Sequence, residues 1–86
     1  MSLDPKEIRK LIKKISPSPG YITNPQTKRL FTRAEFEDIF DELDIPIMED
    51  EYNQIGDSVA KRLSYFLQVG EPKDIETILK IVTKQS

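Results

Sequence analysis

Three times along this chain, four large apolar residues recur at the spacing i, i+3, i+4, i+7, which lays them along one face of an α-helix. Ile8, Leu11, Ile12 and Ile15 form the first quartet, Phe36, Ile39, Phe40 and Leu43 the second, and Ile75, Ile78, Leu79 and Val82 the third. Each is framed by its own start and stop chemistry. Ahead of the first stand Asp4 as a cap and Pro5, whose missing N–H costs nothing at the first helical position. Glu7 is placed to close a capping box, and Leu3 to staple against Ile8. Ser16-Pro17-Ser18-Pro19-Gly20 ends this helix, because a residue before proline is driven out of the α region. The second quartet repeats the grammar, with Thr32 as cap, Glu35 completing the box, Phe31 and Phe36 as the staple, and Asp44-Ile45-Pro46 as the stop. The third opens on Glu71-Pro72-Lys73-Asp74. Helices are predicted over 4–15, 32–43 and 72–84.

A looser stripe of Tyr52, Ile55, Val59, Leu63, Phe66 and Leu67 predicts a further helix over 49–69. Glu49, Asp50 and Glu51 suit the positive end of its dipole, and Gly70 suits its C-cap. Gly56 inside it costs about 1 kcal/mol against alanine and marks a bend or a close approach. The stretch 16–31 is long for a connection, where medians are about 4–6 residues. Within it Tyr21-Ile22-Thr23, Asn24-Pro25-Gln26-Thr27 and Lys28-Arg29-Leu30-Phe31 read as strand, type I turn, strand. The expectation is a single all-α domain over 1–86, with four helices and a short β-hairpin-like arm between the first two. Leu3, Leu30, Phe31, Ile45 and Ile47 can join the helical stripes in one core. Each large side chain buried there contributes about 1.5–3 kcal/mol before conformational entropy is subtracted.

What the chain lacks narrows its chemistry. Its 86 residues include no Cys, His or Trp. That excludes disulfides and thiolate metal centres, and removes the commonest general base and transition-metal ligand. On the second helix Glu35, Asp38 and Glu42 share one face, and Glu37 and Asp41 another. Paired carboxylates can do acid–base work, but only in a cleft that raises a pKa. A solvated acidic face is the expectation. There is no nucleophile elbow, Walker motif or GxGxxG. No catalytic residue, cofactor or metal site is expected.

Asn24 to Glu35, followed by Phe36, loosely resembles an EF-hand loop, with Phe31 at the loop hydrophobe and Glu35 at the bidentate position. Lys28 stands where an oxygen ligand belongs, and Arg29 where the sharp turn of that family demands glycine. The resemblance therefore implies no calcium site. Lys28-Arg29-Leu30-Phe31 also resembles the short Arg-x-Leu-Phe motif that cyclins dock. Four-residue matches arise by chance, and Phe31 already has a structural task as a staple. No apolar run is long enough to span a bilayer, and MSLDPKEIRK lacks the apolar segment of a signal peptide. A soluble, cytoplasmic protein without a membrane partner is expected.

The net charge of −2 conceals a strong segregation. Residues 1–33 carry eight Lys and Arg against two acidic side chains. Residues 34–57 carry ten Asp and Glu and no base, and residues 58–86 carry five bases and three acids. Such blocks either pair with each other or present faces to a partner. The function expected is a non-catalytic adaptor or regulatory module that binds another protein, or a second copy of itself. Its candidate residues are Glu37, Asp38, Asp41 and Glu42 on the second helix, with Lys28, Arg29 and Arg33 in and after the arm. The alternative is nucleic-acid binding through Lys10, Lys13, Lys14, Lys28 and Arg29, a basic helix beside a basic hairpin that could track phosphates.

Overall fold

In the computed structural model, which describes residues 4–83, the elements run α1 (Pro5–Ile15), β1 (Thr23–Asn24), β2 (Arg29–Leu30), α2 (Arg33–Asp41), a 3-10 turn (Asp50–Tyr52), α3 (Val59–Val69) and α4 (Pro72–Thr83). Four helices with a hairpin between the first two are as expected. Leu3, with its staple, and the end of the last helix at 84 lie outside the described residues.

The Asp4 carboxylate caps α1 by accepting the Lys6 N–H at 3.1 Å. The expected capping box is not formed there: Asp4 caps Lys6 instead of Glu7, and the reciprocal bond from Glu7 is absent among the described residues. On α2 the box is complete, Glu35 N–H donating to Thr32 Oγ1 at 3.1 Å and Thr32 N–H to Glu35 Oε1 at 3.0 Å. The staple packs edge-on, with the rings of Phe31 and Phe36 6.4 Å apart. α2 ends at Asp41, two residues short of the expected limit, because its exit tightens. Ile45 N–H donates to the Phe40 carbonyl and Asp44 N–H to that of Asp41, both at 3.0 Å. This is a Schellman cap, with Asp44 in its left-handed position at φ 58°.

The helix expected over 49–69 is corrected by the structure. Only Val59–Val69 is α-helical; 49–58 holds the 3-10 turn and irregular chain. Gly56 takes φ 154°, incompatible with a helix, and Ser58 starts α3 by accepting the Lys61 N–H at 3.2 Å. A Ser cap behind a positive-φ glycine is a stronger helix start than Met48 and its acidic neighbours. Ile55 consequently leaves the core stripe and is 45% exposed. Gly70 does end α3, though in an extended conformation. A Cβ there would meet the Phe66 ring at 2.7 Å, so close packing rather than a left-handed turn calls for glycine.

The core runs along a file of aromatic rings. Phe36 and Phe40 stand 4.9 Å apart and Phe40 and Phe66 5.0 Å, tilted or edge-on as ring quadrupoles favour. Ile47, Leu63, Leu67, Ile75, Ile78 and Val82 close around them. The arm is no free-standing limb. Ile22 is wholly buried, Phe31 N–H donates to the Ile22 carbonyl at 2.8 Å, and Tyr21, the turn and Leu30 face solvent. The two strands pair antiparallel, Thr23 with Leu30 and Asn24 with Arg29. α1 is the least embedded helix: Ile8 is buried, while Leu11, Ile12 and Ile15 pack only partly against the core.

Candidate interaction surfaces

The acidic face of α2 follows from its register. With Phe36 and Phe40 turned inward, Glu37, Asp38, Asp41 and Glu42 all fall on the exposed side. Among the described residues none of the four has a cationic partner within 4.0 Å. Glu35 does not belong to this face functionally, since its carboxylate is engaged at the helix cap. Nor do these carboxylates converge: among the described residues no group of three or more acidic side chains is gathered to hold a cation.

The basic residues scatter into three places. Lys28 and Arg29 sit at the hairpin tip, exposed, where the Asn24 side chain accepts the Gln26 N–H at 3.0 Å and Lys28 takes φ 61° to complete the turn. Leu30 beside them is exposed, but Phe31 is buried, so the cyclin-like tetrapeptide does not offer its aromatic side chain. Arg33 is held by Asp57, bonding its carbonyl at 3.2 Å and its carboxylate at 3.4 Å. This is the one pairing, among the described residues, between the basic N-terminal block and the acidic block. Lys10, Lys13 and Lys14 stand exposed on α1, without an acidic partner among the described residues.

A fourth quartet, absent from the sequence reading, explains how the acidic block is anchored. Val59, Arg62, Leu63 and Phe66 have the same i, i+3, i+4, i+7 spacing as the others, with arginine in an apolar position. That substitution is the signal which could have found it. Arg62 is only 4% exposed, and its guanidinium bonds the carbonyls of Ile47 at 2.8 Å and Glu49 at 2.9 Å. It also bonds the Asp57 carbonyl and carboxylate. One planar group therefore ties the irregular segment 47–57 to α3, using the fork geometry that lysine lacks. The hydrogen bond from Arg62, with Arg33 and the Arg62 charge beside it, holds the Asp57 carboxyl below its ordinary range. Next to this node Tyr52 stacks near Tyr65 and Phe66, and burial followed by the Glu51 charge pushes its phenol up.

Beside α1 lies an open groove of about 600 Å³. Arg9, Ile12 and Lys13 form its α1 wall, Ala60, Lys61 and Ser64 its α3 wall, and the turn at 16–20 closes one side with Ile55 alongside. The turn is pinned to α3 by the Ala60 N–H, which donates to the Gly20 carbonyl at 3.3 Å. Gly20, at φ 85°, has no room for a side chain without pressing on Ser58. No acidic residue lines the groove. No helix among the described residues is long and apolar enough to cross a membrane. Comparison with protein-family models, with curated proteins and with solved structures finds no match to this chain.

Proposed function

We propose that the chain is a non-catalytic protein–protein interaction module of the adaptor or regulatory kind, with the acidic face of α2 as its principal partner surface. One observation carries the reading: Glu37, Asp38, Asp41 and Glu42 stand exposed and unpaired among the described residues, although the chain carries thirteen basic side chains. A charge block left unneutralised by the fold steers a partner of opposite sign and fixes its orientation. The hairpin-tip cations Lys28 and Arg29 form a second, separate patch, while Arg33 is partly engaged by Asp57. Nucleic-acid binding draws less support. Of the two aromatics beside the basic arm, Phe31 is buried and only Tyr21, 52% exposed, could stack on a base.

The test is affinity capture with the whole chain as bait, comparing the native protein with the double reversal Asp38→Lys and Asp41→Lys. A specifically captured protein that is lost with a variant at least as stable as the native chain supports the reading. Capture unchanged by the reversal makes the acidic face mere solvated surface.

A further inference from the structure

We propose that the groove between α1 and α3 is a second docking site, shaped for a helical segment of another protein that carries carboxylates beside apolar side chains. The proposal rests on the interaction reading but on a different surface from the acidic face, so the two fail separately.

The argument starts from α1. Of its apolar quartet only Ile8 is fully buried, and Ile12, packed partly against the core, also lines the groove. Ile55, displaced from the α3 stripe when the helix starts late, comes to the same place and is 45% exposed. Two large aliphatic residues from distant parts of the chain thus share one open concavity, whose volume falls within the range of small-ligand and peptide-anchor sites. Around them stand three cations. Arg9 and Lys13 are one turn apart on α1, and Lys61 faces them from the first turn of α3. None has an acidic partner within 4.0 Å among the described residues. The Lys61 stem is set by its neighbours: it lies where a side chain on Gly56 would be, and its backbone N–H is fixed by Ser58.

Such a site selects its occupant by charge and by shape together. Carboxylates four residues apart on a helix stand at the spacing of Arg9 and Lys13, with an apolar side chain between them to cover Ile12 and Ile55. A second copy of this chain fits poorly. The acidic side of its α2 is charged throughout, because Phe36 and Phe40 are buried, and would set carboxylates against the isoleucines. A nucleic acid fits no better, since no aromatic residue lines the groove to stack a base.

The probe is a fluorescent alanine-based peptide of about 16 residues, long enough to be helical alone. It carries two glutamate pairs at i, i+4 and a leucine pair between them; a control peptide has lysine for each glutamate. At low salt the glutamate peptide binds the full chain and shifts the backbone amides of Ile12, Ile55 and Ala60. The double variant Lys13→Glu, Lys61→Glu weakens it about tenfold, and added salt weakens it on the native protein as well. Absence of binding at low salt, equal binding of the lysine peptide, or indifference to the charge reversal overturns the proposal. So do amide shifts confined to other surfaces, a reading on the native chain that stands even if the variant does not fold. Sedimentation of the native chain as a dimer that protects the Ile12 and Ile55 amides overturns it too, giving the groove to a second copy.

Discussion

Arg62 makes the sharpest prediction at the scale of single residues. Its guanidinium supplies the donors for the Ile47 and Glu49 carbonyls, so replacing it with a side chain of similar length but no donors strands them. Arg62→Met is expected to cost roughly 2–4 kcal/mol, the sum of lost charged hydrogen bonds and unsatisfied carbonyls less the apolar gain. Urea unfolding measures it, and an unchanged midpoint contradicts the anchoring role. Asp57, on the exposed side of the same node, acts through pH. Its folded-state pKa lies below the ordinary value, so its contribution is complete above that value and is lost as pH falls through the lowered one. Asp57→Asn is therefore expected to be less stable than the native chain near neutral pH, the difference shrinking below pH about 4. Thermal melts across that range check it; a constant difference contradicts the linkage.

The elements were legible to the degree that their ends carried chemistry. Around α2, Thr32 and Glu35 announced the start, and both hydrogen bonds are formed. Asp44-Ile45-Pro46 marked the exit as well, but not its form, because nothing in those residues announces a left-handed aspartate that ends the helix two residues early. Asp44 holds φ 58° at the negative end of a helix with no basic residue in its last turn. Asp44→Gly removes the strain and the unfavourable charge, and is expected to stabilise by about 0.5–1 kcal/mol despite the freer unfolded chain. The sequence predicts α3 too long, since an apolar stripe continues through Tyr52 and Ile55 whether or not the backbone does. The decisive residues were Gly56 and Ser58, which are local, and Arg62, whose role depends on carbonyls 13 and 15 residues away in sequence. Gly56→Ala must hold φ 154° and displace the Lys61 stem, and is expected to cost at least about 1 kcal/mol in the same unfolding assay. A neutral result would mean that the break before α3 is set elsewhere. Ile22 is expected in a strand, but its place in the core is not legible: so short a strand has no period to read, and its burial comes from the arm folding back on the core.

For the molecule as a whole, the question raised by the charge blocks is whether folding neutralises them. Within the described residues only Arg33 and Asp57 join the basic N-terminal block to the acidic one. The other nine carboxylates of 34–57 have no cationic partner there, and the second half of α2 adds negative charge to a helix end that is already negative. This arrangement works against stability, and it separates fold from function in one variant. Asp38→Lys with Asp41→Lys relieves the crowding and complements the helix dipole, so the double variant is expected to gain about 1 kcal/mol, roughly 4–8 °C in Tm for a domain of this size. The gain should be largest at low salt and shrink as salt screens the block. The same variant is expected to lose the partner of the acidic face. A protein that melts higher and captures less has an acidic face maintained for recognition at the expense of folding. One that melts lower shows instead that these carboxylates support the fold, and its loss of capture would then say nothing about a binding surface.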